Sequence, residues 1–150
     1  MSKAFTSEET PDPGPLTRPA PRLAPGEIRY VTPEGQDELR RRLAELRAAG
    51  DPRAGVVEAT LAVLTVLGPG SAPEGTVGFG TWVTVREGSG RPVTWRIVGP
   101  DEADPRRKLI SAHSPVGRAL LGCGVGDEAA VDRPGGRVAM EVVAVSRIPP

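Results

Sequence analysis

The apolar residues of this chain change their period once, and that change restricts what it can fold into. Between residues 33 and 67 they recur every three to four positions, as on one face of a helix; from residue 81 they alternate, as on one face of a strand. GPGSAPEG, residues 68–75, separates the two regimes with glycines and prolines that interrupt both kinds of structure. A helical unit followed by a strand-rich unit belongs to the α+β class.

The helical unit is punctuated by its own residues. Thr32 suits an N-cap and Pro33 the first helical position, where its missing N–H costs nothing. Leu39, Leu43 and Leu46 then form one stripe, and Asp37 with Arg41 and Glu38 with Arg42 are spaced for i,i+4 ion pairs, which predicts a helix over 33–48. Gly50 suits the left-handed residue after a helix, and Asp51 with Pro52 repeats the start signal. RAAGDPRAG, residues 47–55, therefore reads as a helix end fused to a helix start. The second helix is expected over 52–67, with Val57, Leu61 and Leu64 on one face and Val56, Thr60, Val63 and Leu67 widening it. At 1.5 Å per residue each arm would be about 24 Å long, giving a short antiparallel hairpin with matched arms. A monomer is expected, the wide face of helix 52–67 being the surface through which a dimer would form.

Beyond the linker, residues 81–87 and 92–99 alternate as strands across a Gly-Ser-Gly turn, with Val93, Trp95 and Ile97 on one face. KLISA, 108–112, reads as a further strand. Ser114 and Pro115 open a short helix over 114–122, and two last strands, 128–132 and 137–145, flank the turn RPGG. The expected division is a Pro-rich tail without ordered structure over 1–29, a hairpin over 30–67, a linker over 68–76 and, over 77–150, an antiparallel sheet with one helix. The tail carries prolines at 11, 13, 15, 19, 21 and 25 and no periodic apolar pattern.

Composition narrows the function. Nineteen basic and nineteen acidic residues leave no net charge, so no overall basic field draws in nucleic acid, and a protein partner is favoured over direct sequence-specific nucleic-acid binding. The lone cysteine, Cys123, makes no internal disulfide and fits a cytoplasmic location. No apolar run approaches the roughly 20 residues of a membrane span, so no membrane partner is expected. His113 is the single histidine and no carboxylates have ligand spacing, so neither metal nor cofactor is expected. GCGVGD, 122–127, follows a helix instead of preceding one, the wrong order for a phosphate loop. Arg40, Arg41 and Arg42 point in three directions from a helix, and Asp101, Glu102 and Asp104 read as a solvated loop. Nothing here assembles a nucleophile with a base, and an enzyme is not expected.

The motifs resemble a known family. RYVTPEGQDELRRRLAEL resembles the start of the first helix in the bacterial GreA and GreB transcript cleavage factors, and FGTWVTV, WRIVGPDEAD, ISAHSPVGRALLGCGVGD and the RPGG turn resemble their second domain. The likeness covers about residues 29–148. FGTWV and the start MSKAFT are nearer to GreB, and PVGRALLG is also close to the related short protein Rnk. The resemblance implies an FKBP-like C-terminal domain and a helical hairpin bound to bacterial RNA polymerase at its secondary channel. In the family a long coiled coil ends in a tip with Gly-Asp and then Glu-Asn-Ala, whose carboxylates help hold a second Mg²⁺. Here the tip is Gly50, Asp51, Pro52 and Arg53; Asp51 matches the family Asp, the Glu has no counterpart and most of both arms is absent. No catalytic residue is carried over. The family's docking contact centres on a Ser-Pro motif, which maps onto Ser114 and Pro115, flanked by His113 where GreB has Asp, and followed by Val116, Arg118 and Leu120. The helix start there would offer free N–H groups to a carboxylate. The expectation is a polymerase-bound regulator that competes with Gre factors or other channel binders without stimulating cleavage. The alternatives are an interaction module for another partner and an FKBP-type prolyl isomerase, whose aromatic pocket would need Phe79, Trp82 and Trp95.

Overall fold

The computed structural model describes residues 19–150, so the first part of the expected tail lies outside the described residues. Regular structure begins before the predicted start: Ala24 to Glu27 close a turn, and Arg29–Val31 form β1. α1 (Pro33–Ala48), α2 (Arg53–Val63) and β2 (Leu64–Val66) follow. Thr32 caps α1, its hydroxyl accepting from the Gly35 N–H at 3.0 Å. The chain reverses at Gly50, whose φ of +66° suits a residue without Cβ. Leu39 and Leu43 of α1 meet Val57 of α2, with Val31 completing a small apolar core.

Two expectations for the hairpin fail. α2 stops at Val63 instead of Leu67, so its 11 residues span about 17 Å against about 24 Å for the 16 of α1. The cause lies 35 residues away in sequence. β1 offers an open backbone edge, Leu64–Val66 pair with it in parallel, and the Leu67 N–H reaches the Val31 carbonyl at 2.9 Å. Thr65 and Val66 are β-branched and fit that extended ladder better than a last helical turn. Of the two expected helix-surface pairs, Glu38 with Arg42 forms at 3.4 Å, while Asp37 makes no ion pair among the described residues and Arg41 bonds Glu38 and Glu45 instead. These exposed pairs contribute little to stability, because water and salt screen them.

The second unit is α+β, built on β3 (Trp82–Glu87), β4 (Val93–Val98), β5 (Leu109–Ser111), β6 (Glu128–Arg133) and β7 (Gly136–Ser146), with α3 (Pro115–Leu120) between β5 and β6. The strand order is β5-β4-β3-β7-β6. Three pairings are antiparallel as expected, but β5 runs parallel to β4, with Ile97 opposite Ile110. Residues 99–108 fold back alongside β4 and return the chain to the same end of the strand. Val83, Val85, Ile97, Val131, Met140 and Val142 form the core, closed on one side by Leu120 of α3. With aromatics only 3% of the chain, packing rests on aliphatic side chains. The linker is not loose: Pro69–Ser71 make a 3₁₀ turn against which Gly80 packs, and Thr76 bridges to Gly124. Among the described residues no helix is long and apolar enough to cross a membrane.

Candidate functional site

Three features of the described chain concern function: the hairpin tip, the start of α3, and the junction that fixes one relative to the other. At the tip, the Asp51 carboxylate is engaged on both oxygens. It accepts from the Arg53 backbone N–H at 2.9 Å and from the Arg53 guanidinium at 2.8 to 3.2 Å. The Arg53 side-chain hydrogen bonds, followed by the backbone bond, hold the Asp51 carboxyl below the usual carboxylate range. The next acid along the hairpin, Glu58, bonds Arg47 of the facing helix at 2.8 Å. A metal bound here would have to displace Arg53, and only one carboxylate would meet it; Ca²⁺ and Mg²⁺ sites draw on several oxygens. Gly50 and Pro52 shape the turn and present no chemistry.

At α3, Ser114 accepts from the Gly117 N–H at 3.0 Å while donating to the Ser111 carbonyl at 2.7 Å. Its hydroxyl is therefore committed inside the protein, and the Gly117 N–H is taken. Val116 also turns inward, against the sheet core, and Leu120 is fully buried. His113, Pro115 and Arg118 are exposed, and Arg118 makes no ion pair among the described residues. Of the six residues singled out there by sequence, His113, Pro115 and Arg118 face outward and Ser114, Val116 and Leu120 turn inward. The following loop is a helix stop leading into β6, as read. Cys123 sits half-buried in it, and burial first, then the Asp127 charge, push its thiol up. Thiolate is the reactive form. Alkylation of Cys123 at neutral pH should be several-fold slower in the folded protein than in urea, measured by mass spectrometry; equal rates would contradict this placement.

The junction was missed by sequence. Asp101 is almost fully buried and holds Arg29 of β1 through two bonds, at 2.6 and 3.0 Å. Glu102 accepts from the Thr32 N–H at 2.8 Å, from the Thr32 hydroxyl and from the Gly99 N–H at 2.9 Å. The residue that caps α1 is thus itself gripped by the loop after β4. Gly35 makes room for this: a Cβ there would meet a Glu102 oxygen at 1.9 Å. From β4, the buried Arg96 lies over the Trp82 ring, 4.1 Å from its centroid, donates to the Gly80 carbonyl at 2.9 Å and reaches Glu34 of α1 at 2.9 Å. The expectation of a solvated acidic loop was wrong for Asp101 and Glu102. Their spacing gives no periodic signal, and their partners lie about 70 residues away.

The aromatics are engaged internally. Phe79 stacks at a tilt on Tyr30 with centroids 5.7 Å apart, Trp82 is covered by Arg96, and Trp95 packs on the sheet core. Two concavities among the described residues, one between α1 and the β4–β5 connection and one beside Ile148, have no aromatic lining residue. An aromatic-lined isomerase pocket finds no support in these positions.

Residues 72–147 match the family model described as "Transcription elongation factor, GreA/GreB, C-term". The chain is 39% identical over 106 residues to transcription elongation factor GreB of Yersinia pestis, covering 71% of this chain and 60% of that protein. It is 34% identical over 151 residues to transcription elongation factor GreA of Ralstonia nicotianae, covering 87% of this chain and 96% of the relative. The solved structure of the prokaryotic transcription elongation factor GreA/GreB from Nitrosomonas europaea is 29% identical, covers 79% of this chain and 98% of its own, and superposes with a TM-score of 0.45. Several of the curated relatives extend beyond the matched region, this chain spanning 58 to 64% of their length.

Proposed function

The chain belongs to the GreA/GreB family of transcription elongation factors, and from that premise we propose that it docks on bacterial RNA polymerase at the secondary channel and does not stimulate transcript cleavage. The observation that carries the second half is Asp51: the one acid of the tip is tied to Arg53, and the next acid along the hairpin, Glu58, is tied to Arg47. The docking half rests on the exposed group His113, Pro115 and Arg118, held in place by the Ser114 cap. A protein partner with an acidic surface suits Arg118, and His113 removes the negative charge that GreB carries at that place. With arms of about 24 and 17 Å, the hairpin would occupy the channel mouth without reaching the active centre. Occupancy there excludes Gre factors and other channel binders. The protein acts on transcription without performing catalysis itself.

The test is a pull-down with core RNA polymerase followed by cleavage assays on backtracked complexes. Arg118→Glu should weaken capture about tenfold or more, because it places like charges across the contact. Saturating wild-type protein should suppress cleavage stimulated by a full-length Gre factor. Capture that is unaffected by Arg118→Glu would remove the docking surface, and direct stimulation of cleavage by the wild-type chain would remove the claim about the tip.

A further inference from the structure

The sheet ends in two unlike edges. At one, β5 is three residues long and its outer side is taken: Asp104 and Leu109 exchange backbone hydrogen bonds at 2.9 and 3.0 Å, and the Ser114 N–H donates to the Ser111 carbonyl. At the other, β6 runs for six residues, and among the described residues its one sheet neighbour is β7. The Val142 N–H donates to the Asp127 carbonyl at 2.8 Å, which fixes the alternation of this antiparallel ladder. The backbone groups of Ala129, Val131 and Arg133 therefore turn to β7, and those of Glu128, Ala130 and Asp132 turn away from it. Among the described residues no loop or turn backbone group bonds them there. Glu128, Ala130 and Asp132 are exposed, whereas Ala129 and Val131 are buried.

An open strand edge is a template for another strand, and charge decides which strand it takes. Asp127, Glu128 and Asp132 lie along this one against Arg133 alone. Glu128 makes no ion pair among the described residues. Asp132 meets Arg137 at 3.1 Å, but both side chains are largely exposed, so water screens that pair. A second copy paired antiparallel about Ala130 would set each Glu128 opposite an Asp132, and like charges directly opposite destabilise a ladder. A strand carrying cations at those two places meets no such penalty, and the small Ala130 between them leaves the backbone accessible.

We propose that β6 accepts an extended basic segment of a protein partner as a sixth strand, antiparallel to it, with Lys or Arg opposite Glu128 and Asp132 and a small residue opposite Ala130. The outward N–H and C=O groups of Glu128, Ala130 and Asp132 supply the ladder, and the two acids select the sequence. None of His113, Pro115 and Arg118 takes part, so the outcome of the test is separate from that of the docking proposal.

The probe is the capped peptide Lys-Val-Thr-Val-Lys, titrated into the isotopically labelled full chain and followed by nuclear magnetic resonance. Saturable shifts centred on the Glu128, Ala130 and Asp132 amides are expected by about 1 mM peptide. N-methylation of the peptide threonine removes the donor that faces the Ala130 carbonyl and should weaken binding about tenfold, and exchange of both lysines for glutamate should do the same. In the protein, Ala130→Pro removes an outward N–H that serves no bond of the fold, so binding should fall about tenfold while the protein still melts cooperatively. Sedimentation of the chain alone should give a monomer. Absence of shifts at about 1 mM peptide, shifts centred away from β6, equal affinity for the N-methylated or the acidic peptide, or a dimer that Ala130→Pro dissolves would each overturn the proposal.

Discussion

Glu102→Ala should lower the melting temperature by roughly 6 to 12 °C, from a loss of about 3 kcal/mol at 2 to 4 °C per kcal/mol for a chain of this size. The carboxylate receives two backbone N–H groups and one hydroxyl, at Thr32 and Gly99. Thr32 is fully buried, so its N–H would lose its partner where water cannot readily replace it. The same change loosens the cap of α1, because the Thr32 hydroxyl loses the acceptor that orients it toward the Gly35 N–H. Glu102→Gln should recover part of the loss, since its carbonyl oxygen still accepts while its NH₂ opposes a donor. Glu128→Ala, exposed on an edge strand, should stay within about 0.5 kcal/mol of wild type. A melting temperature for Glu102→Ala within a degree or two of wild type would mean that the loop after β4 does not clamp the hairpin.

Gly117→Ala should be comparably damaging through the opposite mechanism. A Cβ at this position would meet the Ser111 carbonyl oxygen at 2.1 Å and the Ala112 Cα at 3.0 Å. Both are backbone atoms, so no side chain can rotate away, and either α3 or the end of β5 must move. Overpacking of this kind costs about 3 kcal/mol, again roughly 6 to 12 °C by thermal melting. Because Gly117 also donates to the Ser114 hydroxyl, the shift disturbs the cap that sets the direction of His113, Pro115 and Arg118. Polymerase capture should therefore fall in Gly117→Ala while far-UV circular dichroism still reports the helices. Wild-type melting together with wild-type capture would show that α3 tolerates displacement and is not a fixed docking element.

These two positions also mark how far the sequence could be read. Gly117 belongs to a motif visible as Ser-Pro followed by an apolar helix, and the Ser114 cap operates across three residues, so its geometry is written locally. Glu102 belongs to a stretch that looks like any charged loop. What distinguishes it is the Thr32 backbone, about 70 residues earlier, and no local pattern encodes that meeting. The Ser-Pro motif was legible, but the division into the outward residues and the inward Ser114, Val116 and Leu120 was not, since it depends on which side of a six-residue helix meets the sheet.

The sequence by itself determined the elements that rest on short-range chemistry. The period of the apolar residues set helices before the linker and strands after it; Thr32 and Ser114 set helix starts; Gly50 and the residues around Pro134 set reversals. Each of these acts over four residues or fewer. Tertiary structure decided the rest. Residues 64–66 became a strand because β1 presented an edge, β5 turned parallel because residues 99–108 fold back along β4, and the buried Asp101 and half-buried Glu102 became a clamp because β1 and α1 land on them. The physical reason is the same in each case. A backbone edge or a buried carboxylate is satisfied by whatever polar group the fold brings to it, and that group is chosen by the packing of distant segments, not by its neighbours in sequence.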